Sequence, residues 1–171
     1  SAGLPVAALL GGVYRDSIPL SVSIANPDFE ADLVFLDERL AEGVRLFKVK
    51  TGFLTHAEDL RRLERLARVL PEDAEIRIDY NQGLDPYGAV AKLRDVERFR
   101  PGFIEQPVKR DQRDAMADLA RAIDTPILAD ESVFTPQEAA DLVARRYADA
   151  VSIKLMKAGG FTAARTIAAI T

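Results

Sequence analysis

The feature that most constrains the fold is a regular alternation of short apolar segments with longer segments in which apolar residues recur at helical spacing. This alternation is typical of βα units, in which helices cover a parallel sheet. The predicted strands span residues 20–25, 45–50, 75–79, 102–105, 126–130 and 150–154. We therefore predict an α/β protein with six βα units.

Local capping patterns predict where the helices begin. The predicted starts are Asn26-Pro27, Thr55, Asp85-Pro86, about Asp111, Thr135 and Gly159-Gly160. Proline is favoured at the first helical position. Thr55 with Glu58, and Thr135 with Glu138, form capping-box patterns.

A closed parallel barrel has eight strands, so six units predict an incomplete segment of a larger TIM-type barrel. We expect residues 20–171 to form this partial (β/α) catalytic domain. Residues 1–19 are expected to be a linker, and residues 1–12 read as the end of an earlier helix. The alternative is an open doubly wound sheet, which is weakened because no glycine-rich phosphate loop follows the first strand.

Composition excludes several kinds of site. The chain has no cysteine, which excludes disulfides, thiolate metal sites and cysteine nucleophiles. Its single histidine, His56, argues against sites that need two. The net charge of -4 gives no reason to expect nucleic acid or an anionic membrane as a partner. No signal peptide or bilayer-spanning apolar run is evident, and we expect a cytoplasmic enzyme.

Charged residues end five predicted strands, although buried parallel strands should be apolar. The positions are Lys48-Val49-Lys50, Asp79, Glu105, Asp130 and Lys154. From Lys50 onward, successive positions are 24 to 29 residues apart, close to one βα unit. We therefore expect these side chains at the same end of the sheet, where a βα barrel places its active site.

These residue types indicate a metal-assisted reaction. Converging carboxylates repel one another unless a cation lies between them, and oxygen ligands without histidine or cysteine favour Mg²⁺. Mg²⁺ bound to a substrate carboxylate stabilises the enediolate formed when the neighbouring carbon loses a proton. The flanking lysines suit the role of base, because nearby positive charge lowers the pKa of a lysine.

Three further polar residues are candidates for contacts with the substrate or with the residues that hold it. Ser23 ends the first strand, where core packing is the competing interpretation. Asn81 lies two residues after Asp79, on the same side if the strand continues. Glu131 is expected to point away from its neighbour Asp130, and Lys157 is a rival of Lys154 for the catalytic position.

The sequence resembles the enolase superfamily, in its muconate-lactonizing (muconate cycloisomerase) branch. The motifs that carry the resemblance are Leu10-Gly11-Gly12, Lys48-Val49-Lys50, Asp79-Tyr80-Asn81, Ile104-Glu105-Gln106-Pro107, Ala129-Asp130-Glu131-Ser132, Ser152-Ile153-Lys154 and Lys157-Ala158-Gly159-Gly160. They cover nearly the whole chain in the family's order.

The resemblance implies a role for each of the charged strand ends. Lys50 would be the base on one face of the substrate, and Lys154 the acid or base on the opposite face. Lys48 would support the substrate carboxylate. The metal ligands would be Asp79, Glu105 and Asp130. The family's α+β capping domain and its seventh and eighth strands are expected to be missing from this chain.

The resemblance also narrows the substrate to a small carboxylate. Segments 14–19, 50–53, 79–83 and 103–109 are similar to the epimerases of proline betaine and 4-hydroxyproline betaine. Muconate cycloisomerase, N-acylamino-acid racemase, dipeptide epimerase and hydroxyproline dehydratase remain alternatives. A non-catalytic metal-binding relic and an assembly module are alternatives of other classes. The family implies a homo-oligomer, often an octamer.

Overall fold

The computed structural model describes residues 3–171. The strands are β1 (Ser21–Ile24), β2 (Leu46–Lys50), β3 (Glu75–Asp79), β4 (Ile104–Glu105), β5 (Ile127–Ala129) and β6 (Ala150–Val151). The helices are α1 (Val6–Leu9), α2 (Phe29–Ala41), α3 (His56–Val69), α4 (Ala89–Glu97), α5 (Arg113–Ala122), α6 (Pro136–Arg145), α7 (Leu155–Ala158) and α8 (Phe161–Ile170).

The strands form one sheet in the order β1-β2-β3-β4-β5-β6, and every neighbouring pair is parallel. Strand order therefore follows chain order, as in a barrel and unlike a doubly wound sheet, whose order reverses at a switch point. The prediction of an α/β fold with six βα units of a (β/α) barrel is confirmed.

The predicted strands are right in position but mostly too long. Only β3 has the predicted bounds, whereas β5 and β6 end before Asp130 and Lys154. These two residues lie just beyond the last paired residues of their strands, so turns and not ladder hydrogen bonds orient them.

Two of the predicted helix starts are wrong. Helix α2 is capped by Asp28, whose side chain accepts from the N–H of Glu30, and Asn26 instead accepts from the N–H of Asp28. Helix α4 begins at Ala89, because the Asp85 side chain accepts from the N–H of Tyr87 and forms a turn first. Such local side-chain bonds compete with helix formation. The two threonine capping boxes are confirmed.

One face of the sheet packs against the helices and the other carries the charged residues. On β2, Phe47 and Val49 are buried in the apolar core, together with Leu63 and Leu66 of α3. Lys48 and Lys50 alternate with them and so project from the opposite face. This alternation separates the core from the side of the sheet that a closed barrel would enclose.

The segment before β1 contains the short helix α1, so residues 3–12 are partly helical. Ser1 and Ala2, which belong to the predicted helix end, lie outside the described residues. The division at residues 19 and 20 stays a prediction. Among residues 3–171, every helix is too short or too polar to span a bilayer.

Candidate active site

The register of the sheet brings the charged residues onto one face. Lys50 pairs with Asp79, and Asp79 pairs with Glu105. Glu105 pairs with Leu128, which lies two residues before Asp130. Paired residues and residues two apart point to the same side of a sheet. Lys50, Asp79 and Glu105 therefore share one face at the carboxyl ends of β2 to β4, and Asp130 and Lys154 follow in the turns after β5 and β6.

On the β2 side, two lysines contact two buried carboxylates. Lys48 Nζ lies 3.1 Å from both Asp79 Oδ2 and Glu105 Oε2. Lys50 Nζ donates to Asp79 Oδ2 at 2.6 Å and to Asn81 Oδ1 at 2.5 Å. Asp79 is 0% exposed and Glu105 3%. Ionised carboxylates at this depth need positive charge beside them, which the lysines supply.

On the β6 side, two lysines share one carboxylate. Lys154 Nζ donates to Asp130 Oδ2 at 2.5 Å. Lys157 donates to Asp130 Oδ1, and also to the backbone oxygens of Asp130 at 2.6 Å and Ser152 at 3.0 Å. The Lys157 ammonium is thus committed to three acceptors, whereas that of Lys154 contacts one. Lys154 is accordingly the more accessible of the two lysines, and its ammonium keeps two N–H groups that Asp130 does not accept.

The three secondary candidates differ in placement. Asn81 bridges the site, since its Oδ1 accepts from Lys50 and its Nδ2 lies 3.4 Å from Glu131 Oε1. Glu131, which is expected to point away from Asp130, lies in the turn after β5, where strand alternation no longer applies, and its carboxylate faces Asn81. Ser23 pairs with Lys48 in the register and so lies on the same face, at the exposed edge strand.

The loop after β2 packs closely on the loop after β3. Gly52 has a φ of +83°, and a Cβ there would lie 3.0 Å from the Tyr80 ring. At Gly83 a Cβ would lie 2.8 Å from the Tyr80 carbonyl oxygen. Asp59 of α3 accepts from the N–H of Gly52 at 2.9 Å. These contacts hold the loop that follows Lys50 against the one that follows Asp79, and only glycine fits at both approaches.

The ionisation of the carboxyls is unequal across the site. Burial raises the pKa of Glu105, and the charges of Asp79 and Asp130 add to the rise against the opposing effect of Lys48. Burial also acts to raise the pKa of Asp130, but hydrogen bonds from Lys154 and Lys157 bring it below its usual value. Burial acts to lower the pKa of Lys48, but the charges of Glu105 and Asp79 outweigh it, so this pKa is raised above its usual value. Glu105, which contacts one lysine, is therefore less compensated by positive charge than Asp130, which contacts two.

As the side chains lie, no three acidic or histidine groups within residues 3–171 are gathered around one point as metal ligands. Each of the three carboxylates is turned onto a lysine ammonium instead. The donor set nevertheless fits a hard divalent cation, since it consists of buried carboxylate oxygens on three neighbouring strands with a shortage of positive charge at Glu105.

Two residues at this end of the sheet were missed as individual site residues. Gln106 is 0% exposed and joins the end of β4 to the turn after β5 through its side-chain amide. Ser132, the partner of that amide, is 1% exposed. Both lie in the motifs that contain Glu105 and Asp130, and a polar residue within two positions of a predicted ligand was the available signal.

Residues 33–171 match the enolase C-terminal domain-like family. The chain belongs to the enolase superfamily. It is 36% identical over 170 residues to the L-Ala-D/L-Glu epimerase of Bacillus subtilis (strain 168), covering 98% of this chain and 46% of that protein. It is 37% identical over 171 residues to a chloromuconate cycloisomerase of Cupriavidus pinatubonensis (strain JMP 134 / LMG 1197), with 98% and 46% covered.

Solved structures of this superfamily share the fold. A muconate cycloisomerase from Azorhizobium caulinodans superposes with a TM-score of 0.91 at 53% sequence identity, covering 96% of this chain and 46% of that one. The chain thus spans slightly less than half the length of the relatives it matches. These relatives are isomerases, namely cycloisomerases and amino-acid epimerases, as the resemblance in the sequence implied.

Proposed function

We propose that this chain carries the proton-transfer site of a Mg²⁺-dependent isomerase that acts on the carbon next to a carboxylate. The observation that carries the proposal is the pair of lysines, Lys50 and Lys154, at opposite flanks of a row of three buried carboxylates on one face of the sheet. A substrate held over the row would have an ammonium or amine on either side.

In this proposal Asp79, Glu105 and Asp130 hold the metal ion. When bound, Mg²⁺ stabilises the negative charge that develops on the substrate carboxylate as the α-proton leaves. Binding it requires the three carboxylates to exchange their lysine contacts for the metal. Lys48, which spans Asp79 and Glu105 at 3.1 Å, then supplies positive charge beside the substrate carboxylate.

The two flanking lysines move the proton. Neutral Lys50 takes the α-proton onto Nζ, and the ammonium of Lys154 returns a proton to the same carbon from the other face, which inverts its configuration. Asn81 accepts from Lys50 Nζ at 2.5 Å and would still hold it once Asp79 turned to the metal, which leaves the rest of the amine free for the substrate. Asn81 and Glu131 support the orientation of Lys50.

For the substrate we propose an amino-acid betaine, proline betaine or 4-hydroxyproline betaine, interconverted by 2-epimerisation. The support is the similarity of the segments around Lys50, Asp79 and Glu105 to betaine epimerases. A cavity of about 470 Å³ opens beside Lys50 and Asn81, and Ala25, Pro27 and Phe53 are among its walls. The apolar part of this wall suits the methylated ammonium of a betaine, which has no hydrogen-bond donor, and Asp59 and Arg62 also line the cavity.

Cycloisomerisation is the second candidate, because the 53% identical solved structure is that of a muconate cycloisomerase. That reaction uses the same metal site and needs one lysine to deliver a proton, while the other lysine takes no part.

The whole protein would act in the cytoplasm, as a homo-oligomer on a small-molecule carboxylate. Comparison of the two single-lysine variants distinguishes the reactions, since epimerisation is lost in both variants and cycloisomerisation in only one.

The test is to incubate the full-length protein with Mg²⁺ and each betaine in D₂O and follow the α-proton by NMR. We expect exchange of that proton with change of configuration, and its loss on chelation of the metal. Turnover of muconate, N-acyl amino acids or dipeptides without betaine exchange would retain the mechanism and replace the substrate. No exchange with any of these carboxylates would contradict the enzyme and favour the relic or assembly module.

A further inference from the structure

The buried side-chain amide of Gln106 makes hydrogen bonds through both its oxygen and its nitrogen. Its Oε1 accepts from the backbone N–H groups of Asp130 at 3.0 Å and Ser132 at 3.1 Å. Its Nε2 donates to Ser132 Oγ at 2.7 Å and to the carbonyl oxygen of Val108 at 2.9 Å. The amide orientation is determined by these partners, because two donors face the oxygen and a carbonyl faces the nitrogen.

The backbone of Gln106 is held in an unusual conformation to make these bonds. Its φ is +36°, in the left-handed region that side chains other than glycine rarely adopt. Its N–H still donates to the carbonyl oxygen of Leu128, so β4 stays paired with β5 up to this residue. After this residue the chain leaves the strand, and the Gln106 side chain contacts the turn after β5. Strain of this kind persists where the surroundings over-determine it.

The result is a turn after β5 that is held from two sides. The N–H of Asp130 is bound by Gln106, and the carbonyl oxygen of Asp130 is bound by Lys157. Asp130 lies beyond the last paired residue of β5, so no ladder hydrogen bond orients it. These two contacts therefore fix the backbone of Asp130 relative to Glu105 on the neighbouring strand, while Lys154 and Lys157 bind its carboxylate directly.

We propose that Gln106 is a positioning residue that aligns Asp130 with Glu105 for metal binding. The inference rests on the proposed function for the metal itself. Replacement of Gln106 should therefore weaken Mg²⁺ binding even in a variant that folds normally. Residues that hold metal ligands in place commonly cost about 10–100-fold in metal affinity when replaced.

The test is the isosteric substitution Gln106→Glu in the full-length protein. The variant keeps the oxygen that faces Asp130 and Ser132 but places a second oxygen against the Val108 carbonyl, where the donor stood. The matched control is Gln112→Glu in the same βα unit. Gln112 accepts from the N–H of Lys109 through Oε1, which glutamate also provides.

The primary readout is the dissociation constant for Mg²⁺ alone, measured by calorimetry without substrate. We expect Gln106→Glu to weaken it about 10–100-fold, and Gln112→Glu to leave it unchanged. The second readout is the Mg²⁺ dependence of the isomerisation rate, which should shift to higher Mg²⁺ and recover at saturation. A purely structural role would lower the melting temperature but would not move either Mg²⁺ curve.

Unchanged Mg²⁺ affinity in a folded Gln106→Glu variant would overturn the proposal, and so would a parent protein that does not bind Mg²⁺. If Gln106→Glu fails to fold, Ser132→Ala decides, because it removes one acceptor of the amide and leaves the contact to Asp130. A few-fold weakening of Mg²⁺ binding is then expected, and none would overturn the proposal. A parent that binds Mg²⁺ but exchanges no α-proton contradicts the proposed function alone, since the affinities can still be compared.

Discussion

The two flanks of the site each carry two lysines, but they are built differently. On β2 the side chains of Lys48 and Lys50 are similarly exposed, at 24% and 25%. After β6 the side chain of Lys154 is 38% exposed and that of Lys157 only 9%. The β2 flank therefore presents two comparable ammonium groups, whereas the β6 flank presents one accessible group and one buried group.

The difference follows from what holds each turn. The turn after β2 is held by a carboxylate, since Asp59 binds the N–H of Gly52. The turn after β6 is held by Lys157, which binds the carbonyl oxygens of Asp130 and Ser152. On β2, strand alternation determines the face from which Lys48 and Lys50 project. After β6, the position of the Lys157 side chain depends on the groups that it binds. Residue type by itself does not separate a reactive lysine from a structural one.

The largest expected effect is on epimerisation, in which Lys50 and Lys154 act from opposite faces of the substrate. Lys50→Ala and Lys154→Ala should each slow epimerisation about 10²–10⁴-fold, the usual contribution of a general acid or base. Each variant should still exchange the α-proton of the one stereoisomer whose proton faces the remaining lysine. NMR in D₂O with each pure stereoisomer measures this, with exposed Lys109→Ala as the control. Loss of exchange from both stereoisomers in either variant would refute the opposed-lysine arrangement.

The second effect separates the two lysines of the β6 flank. Lys157→Met should lower the free energy of unfolding by about 1.5–3 kcal/mol, because it removes hydrogen bonds between charged or buried groups. Lys154→Met should lower it less, by about 0.5–1.5 kcal/mol, because it removes a single hydrogen bond to Asp130 from a more exposed side chain. Urea unfolding of the full-length protein without Mg²⁺ measures both. Equal losses would mean that the two lysines share the structural role.

The smallest effect concerns the carboxylate that holds the turn after β2. Burial raises the pKa of Asp59 above its usual value, against the hydrogen bond from Gly52. A carboxyl with a raised folded-state pKa costs stability as pH rises from its ordinary pKa through the raised one, and costs nothing below both. The stability of Asp59→Asn relative to the parent should therefore increase with pH over that window and then level off.

Thermal unfolding from about pH 3 to pH 8 measures this dependence, within the range where carboxyl groups titrate. Asp37→Asn, which removes an exposed carboxyl on α2, is the matched control. A difference for Asp59→Asn that falls with rising pH would show that the Gly52 contact, and not burial, dominates at this turn.

Much of the site was predictable because parallel strands impose a simple geometry. The spacing of Lys50, Asp79 and Glu105 was enough to place them at one end of the sheet, and the register pairs them directly. Beyond the strand ends this geometry stops. The contact between Glu131 and Asn81 could not be read from strand alternation for that reason, and Gln106 was seen only as part of a motif.

The sequence by itself determined the βα architecture, the strand order and the identity of the charged residues at the strand ends. These depend on local periodicity and on the regular geometry of a parallel sheet. Only the tertiary structure decided that Lys157 is buried on Asp130 while Lys154 is accessible, and that Gln106 reaches the turn after β5. Those outcomes depend on which backbone groups lack a partner once the strands end, and residues far apart in the chain supply those partners.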